Sequence, residues 1–202
     1  MLDRRFSTFP EFRDACLAES MFPALVMANR FHLHGHLLPD IVADGYDING
    51  PLSWLRHTCY AFPPGWSGYN TLQLACLAGD VSEISAIVAC GARVEVKTRD
   101  GESIVVLSLK NHKVLRYVIS LYPHDLNTAL YIAIENANVE AVRIFIDSGL
   151  EITCQLTKTA ITSTDKRGFV LRDQYARMCR YIVARGGRVC DDCVVNDEVY
   201  TK

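Results

Sequence analysis

The chain contains two stretches that match one another almost position for position. They are Tyr69–Glu95, which reads YNTLQLACLAGDVSEISAIVACGARVE, and Leu126–Thr153, which reads LNTALYIAIENANVEAVRIFIDSGLEIT. Aligned on Gly91 and Gly149, both place apolar residues at the three- and four-residue spacing of a helix. Self-similarity at a period near ~30 residues indicates stacked supersecondary units, because one such unit cannot bury its apolar face alone.

The first of these stretches predicts a helix, a tight turn, a second helix and a projecting arm. Thr71 opens the first helix, and Gly79-Asp80 interrupts the apolar spacing before the second. Gly91 follows the last apolar residue, where a left-handed helix cap favours glycine. Beyond it the chain alternates like an extended arm as far as the turn signal Arg99–Gly101.

The units resemble ankyrin repeats, whose pattern runs roughly G-x-T-P-L-H-x-A-x-x-x-G-H-x-x-x-V-x-x-L-L-x-x-G-A-x-x. The positions that carry the resemblance are Asn70–Ala75, Gly79-Asp80, Ile84, Ile87-Val88 and Gly91-Ala92, then Thr128–Ala133, Val142, Phe145-Ile146 and Gly149. It implies an all-α solenoid of about four to five units with projecting arms and capping helices. The family's TPLH is replaced by NTLQ, SIVV and TALY, so we expect its Thr–His hydrogen bonds to be incomplete. In the third unit, Ser103–Leu109 alternates in a way that a strand would also explain.

We divide the chain into a repeat domain at 1–189 and a polar tail at 190–202. Within the domain we expect a capping helix in 1–20, with Thr8 as its N-cap and its end near Ala18. Repeats then cover 21–49, 69–98, 99–125 and 126–156, a loop is inserted at 50–68, and 157–189 forms a degenerate fifth repeat. Pro39 is expected to start the second helix of the first repeat.

Composition argues against several functional classes. The 202 residues are 50% hydrophobic and 22% charged, with a net charge of -2, whereas nucleic-acid binding usually needs a concentrated basic face. No apolar run approaches the ~20 residues of a membrane span. Arg4 and Arg5 are followed by no apolar signal segment. Eight cysteines without such a signal favour reduced thiols, and we expect a cytoplasmic or nuclear protein.

The inserted loop at 50–68 is rich in the residue types that dominate interface energies. It contains Trp54, Arg56, His57, Tyr60, Phe62 and Trp66. Two interpretations stay open. The aromatic side chains pack onto the first repeats as a small core of their own, or the loop contacts a partner and is stiffened for it by Pro63-Pro64.

By the ankyrin resemblance, arms and first helices line the binding face. The arm positions expected there are Arg93, Glu95, Lys97 and Arg99, and the first-helix positions are Gln73, Leu77, Tyr131 and Glu135. Mixed charge with scattered aromatic residues suits a protein partner better than DNA or lipid. A merely solvated ridge is the alternative for any one of these residues.

Metal and catalytic sites have weaker support. His32, His34 and His36 form an H-x-H-x-H cluster without an obvious fourth ligand, and a turn role is preferred. Cys190 and Cys193 form a lone CxxC, which is a weak metal candidate. His57 and Cys59 lie close in sequence, yet no orienting group or oxyanion hole accompanies them. No catalytic motif is recognised and no cofactor is expected.

We therefore expect a non-catalytic, monomeric module that binds a protein partner. One alternative is an inhibitory ankyrin protein that masks a signalling protein or transcription factor, and a metal-binding or Cys/His enzyme is less favoured. The degenerate repeats resemble short stand-alone ankyrin proteins of large DNA viruses and intracellular bacteria, which suggests a role in host interaction.

Overall fold

The computed structural model describes residues 5–18, 33–51, 68–153, 156, 160 and 172–186. Over these residues the chain forms helices and turns and no strand, so the all-α prediction is confirmed. In the same part of the chain, no helix is both long enough and apolar enough to cross a membrane. The chain divides into two compact units, 1–108 and 109–202.

In the described residues of the first unit, the α-helices with defined bounds are α1 (Phe9–Ala18), α2 (Leu38–Ala43), α3 (Thr71–Ala78), α4 (Val81–Ala89) and the single turn α5 (Ile104–Leu107). Helix α1 lies where the capping helix is predicted, and the Phe12 amide donates to the Thr8 carbonyl at its first turn. Pro39 occupies the first turn of α2, in agreement with the prediction for this residue.

Polar caps and glycines define the helix pair α3–α4. Asn70 accepts from the Gln73 amide before α3, and the Asp80 side chain accepts from the Ser82 and Glu83 amides before α4. Gly79 joins the helices at φ +90°, a conformation that costs an L-residue about 1–2 kcal/mol. The apolar faces pack into a core shared with α5, and its most deeply buried side chains are Leu72, Ile84, Ile87 and Ile104.

The third repeat begins as a helix and not as a strand. Helix α5 continues into a 3-10 turn at Ser108–Lys110, and the Ser108 hydroxyl donates to the Ile104 carbonyl at 2.7 Å. The alternating apolar residues of this segment also fitted a strand because the short helix is apolar on more than one face. Ile104, Val105 and Leu107 are all buried.

Across the described residues of the second unit, the α-helices with defined bounds are α6 (His112–Leu121), α7 (Leu126–Glu135), α8 (Val139–Asp147) and α9 (Arg172–Ala184). Helix α8 packs against each of the other three. Helix α7 starts at the first residue of the predicted repeat 126–156, with Asp125 at φ 57° as its N-cap. Helix α9 lies within the segment 157–189 that is predicted as a degenerate fifth repeat.

Replacing Gly91 by alanine will lower the free energy of unfolding by about 1–2 kcal/mol. Gly91 has φ +92°, and an added Cβ would meet no atom within 4 Å, so the loss reports backbone strain and not a clash. The protein will still fold, because Ala137 adopts φ 52° at the position equivalent to Gly79. Urea unfolding measures the loss. The exposed Ser85→Ala substitution in α4 is the control, and an equal effect of both substitutions would contradict the prediction.

Candidate functional site

In the first unit, a non-helical segment connects α4 to the N-cap of α5 and carries four of the predicted contact residues. We call residues 91–102 the arm. The side chains of Arg93, Glu95, Lys97 and Arg99 are exposed, whereas Ala92 is buried and the alternating Val94 and Val96 are half-buried. Along the arm, the charged side chains therefore face solvent and the apolar side chains face the protein.

Two side chains fix the backbone of the arm. The Arg93 amide donates to Asn49 Oδ1 at 2.7 Å, and Asn49 Nδ2 donates to the Gly91 carbonyl at 3.3 Å. Further along, Gln73 Nε2 donates to the Val96 carbonyl at 3.1 Å. The exposed side chains therefore stand on a backbone with defined hydrogen bonds.

The tip of the arm is a closed turn. The Thr98 amide donates to the Glu102 carbonyl at 2.9 Å, and the Glu102 amide donates to Thr98 Oγ1 at 3.0 Å. Gly101 has φ +81° and donates its amide to the Thr98 carbonyl. Arg99 and Asp100 lie at the outside of this turn, both exposed.

Gln73 corrects the sequence prediction, which placed it on the exposed face. It is 1% exposed, and its side chain accepts from the Asn70 amide at 2.9 Å while it donates to the arm. Asn70 in turn accepts from the Gln73 amide, which completes a capping box. This pair occupies the Thr and His positions of the family pattern, so Gln73 holds the arm and is not available to a partner.

Two further predicted contact residues belong to the second unit. Tyr131 is half-buried and Glu135 is exposed, one helical turn apart on α7. The Glu135 carbonyl accepts from the Tyr175 hydroxyl of α9 at 2.6 Å, which joins the end of α7 to the last helix. The loop residues Trp54, Arg56, Tyr60 and Trp66 and the weak metal candidates Cys190 and Cys193 lie outside the described residues.

The histidine cluster has a structural role in the first unit. His34 is buried, with its ring 4.9 Å from that of Phe12 and 5.5 Å from that of Phe6. His36 Nε2 donates to the Phe6 carbonyl at 2.9 Å. The two histidines thus make tertiary contacts with Phe6 and Phe12, whereas the sequence predicted a local turn role. His32 lies outside the described residues. Within the described ranges, no three His, Cys, Asp or Glu side chains are grouped as metal ligands.

Two described cysteines are poorly suited to act as nucleophiles. Burial raises the pKa of the Cys76 thiol to about 12, against a smaller lowering by its hydrogen bond to Ser108. Burial also raises the pKa of the Cys179 thiol to about 11. Because the thiolate is the reactive form, both groups are almost fully protonated at neutral pH.

A charged cluster in the second unit was not predicted from the sequence. The guanidinium carbons of Arg143 and Arg185 lie 5.0 and 5.4 Å from the ring centre of Tyr181. Asp147 accepts from the Tyr181 hydroxyl at 3.0 Å and pairs with Arg185 at 2.9 Å. Helical spacing places Arg177 on the same stripe as Tyr181, but no sequence signal brings Arg143 of α8 to this ring.

Comparison with known proteins identifies the repeats. The family model for ankyrin repeats, in three copies, matches residues 65–157. One curated relative is BRCA1-associated RING domain protein 1 of Caenorhabditis elegans, which is 28% identical over 99 residues. The match covers 46% of this chain and 14% of the relative, so the chain spans only a small part of that protein's length.

Proposed function

We propose that this chain, in which residues 65–157 are ankyrin repeats, is a non-catalytic module that binds a protein partner through the arm. Ankyrin repeats are in general protein-interaction modules, and stacked repeats present extended binding surfaces. One observation carries the proposal. The arm has its backbone fixed by Asn49 and Gln73 while its charged side chains face solvent.

A fixed backbone favours binding because less conformational freedom is lost when the complex forms. Fixing the backbone of one residue costs about 1–2 kcal/mol in conformational entropy. In the arm the backbone is already fixed in the folded protein, so this cost does not recur on binding. Arg93, Lys97 and Arg99 are interspersed with Glu95 and Asp100. Mixed charges of this kind select a complementary protein surface and orient it, and they lack the uniform positive charge that nucleic acid requires.

Other parts of the chain complete the proposal. The loop at 50–68, with Trp54 and Trp66, and the α7 positions Tyr131 and Glu135 are further candidate contacts. A non-catalytic role is supported by the protonated state of the Cys76 and Cys179 thiols. Masking of a signalling partner is the narrower form of the same function, and it predicts that the captured partner loses activity when bound.

Site-specific crosslinking tests the arm. A photoreactive amino acid at Arg93 should capture a discrete partner in native cells, whereas the same probe at the exposed Ser85 on α4 should not. With that partner purified, the double substitution Arg93→Glu and Arg99→Glu should weaken binding roughly tenfold, equivalent to about 1.4 kcal/mol. The charge reversal Lys113→Glu, at an exposed position on α6, is the matched control.

Two results would refute the proposal. One is equal capture by the probes at Arg93 and Ser85, which would indicate non-specific contact. The other is an affinity that the arm reversals leave at the value of the Lys113→Glu control. Circular dichroism of each variant excludes loss of fold as the cause.

A further inference from the structure

The structure assigns a second recognition surface: Arg143 and Arg185, held against Tyr181, form a site for a carboxylate side chain of an acidic protein segment. This surface is formed by residues of α6, α8 and α9 of the second unit, with Arg185 directly after α9, and does not depend on the proposed function of the arm. We call Arg116, Glu140, Arg143, Asp147, Tyr181 and Arg185 the Arg–Tyr cluster.

Two guanidinium groups of the cluster have carboxylate partners although all of these groups are exposed. Arg116 pairs with Glu140 at 2.9 Å and Arg185 pairs with Asp147 at 2.9 Å, yet the four side chains remain 40–58% exposed. Exposed ion pairs of this kind contribute only about 0–1 kcal/mol each to stability. Their stabilising effect is therefore small, and both pairs stay accessible to a partner.

Arg143 is the position with room for a further acceptor. Its nearest carboxylate oxygen among the described residues is Glu140 Oε2 at 3.7 Å, beyond hydrogen-bond distance. Its side chain is 53% exposed, and its guanidinium carbon lies 5.0 Å from the centre of the Tyr181 ring. A guanidinium that rests on an aromatic ring is restrained in orientation and still offers its donors at the edge, in the geometry that pairs with a carboxylate.

Charge and composition favour an acidic protein segment as the occupant. The cluster has a net charge of +1, because it contains three arginines, Arg116, Arg143 and Arg185, and two carboxylates, Glu140 and Asp147. The exposed Arg177 lies one helical turn before Tyr181 on α9. The arginines already take carboxylates as partners within the cluster. Tyrosine and arginine are enriched in the energetically dominant part of protein interfaces. An excess this small and this local suits a few carboxylates better than a nucleic-acid backbone.

Fluorescence anisotropy with defined probes tests the site in the full chain. A labelled twelve-residue peptide that alternates Glu with Gly and Ser should bind at least about tenfold more tightly than the same peptide with Gln in place of Glu. Its affinity should fall as salt is raised, because the cluster is exposed. Arg143→Gln should remove most of the preference for the Glu peptide, whereas Arg93→Gln on the arm should leave it unchanged.

Several outcomes would overturn the proposal. Equal affinities for the Glu and Gln peptides would do so, as would equal effects of Arg143→Gln and Arg93→Gln. Binding of phosphatidylserine vesicles or duplex DNA that depends on Arg143, without binding of the Glu peptide, would assign the site to a membrane or nucleic acid. Peptide binding only after removal of 190–202, which contains Asp191, Asp192, Asp197 and Glu198, would assign the cluster to the chain's own acidic segment.

Discussion

Replacing Glu83 by glutamine will stabilise the protein at alkaline pH and not at acidic pH. Glu83 lies in the first turn of α4 and is only 8% exposed. Burial raises the pKa of its carboxyl group from the ordinary 4.5 to about 7, and the neighbouring Asp80 carboxylate adds to the rise. The helix N-terminus favours a negative charge here by about 0.3–1 kcal/mol, so burial is the larger effect.

The sign of the pH dependence follows from the raised pKa of Glu83. Below about pH 4.5 the carboxyl group is protonated in both the folded and the unfolded chain, and it carries no penalty. As the pH rises from there towards 7, the unfolded chain releases the proton first, so the folded state loses stability. Above about 7 the loss is complete, and a shift of this size corresponds to about 1–3 kcal/mol.

Urea unfolding followed by circular dichroism, at about pH 5, 7 and 9, measures the effect. The difference in unfolding free energy between Glu83→Gln and the unsubstituted protein should grow across this range by about 1–3 kcal/mol. Glu95→Gln on the exposed arm is the matched control, because it removes a charge that is not buried. A pH-independent difference for Glu83→Gln would show that the carboxylate is solvated in the folded state.

The repeat pattern was sufficient to predict the helices because its signals are local. The apolar spacing of Ile84, Ile87 and Val88 describes one face of one helix, and Gly79 and Gly91 mark conformations that few other residues adopt. Such signals act within a few residues, so they can be read without knowing what the segment packs against.

The candidate sites were harder to predict because their residues meet through space. Gln73 occupies a first-helix position that the resemblance assigns to the binding face, but its side chain bonds to Val96, 23 residues later. Tyr181 meets Asp147 across 34 residues, from a different helix. In each case the hydrogen-bond partner depends on how two separate elements pack together. The residue spacing within a single helix does not predict such a contact. Exposure of Arg93, Glu95, Lys97 and Arg99 on the arm, in contrast, was predicted from the ankyrin resemblance and is confirmed.

Replacing Asn138 by alanine will destabilise the second unit by about 2–4 kcal/mol. Asn138 is the N-cap of α8, and its Oδ1 accepts from the Ala141 amide at 3.1 Å. Loss of an N-cap of this type costs typically about 1 kcal/mol. The same Oδ1 lies 3.2 Å from His112 Nε2, so alanine also removes a contact with the first turn of α6.

The larger part of the expected loss comes from the other end of the Asn138 amide. Its Nδ2 donates to the Leu109 carbonyl at 2.7 Å, and both groups are partly buried. Alanine leaves this carbonyl without that donor, which costs about 1–3 kcal/mol where water cannot replace it. Asn138 thereby fixes the segment before α6 to the start of α8, one repeat further along the chain.

Asn138→Ser separates the two contributions. Serine keeps an oxygen that can cap α8 and lacks the amide donor to Leu109, so it should retain the cap and forfeit about 1–3 kcal/mol. Urea unfolding of the two variants should therefore rank Asn138→Ala as the less stable. If Asn138→Ser were as stable as the unsubstituted protein, the bond to the Leu109 carbonyl would contribute nothing, and Asn138 would act only as a helix cap.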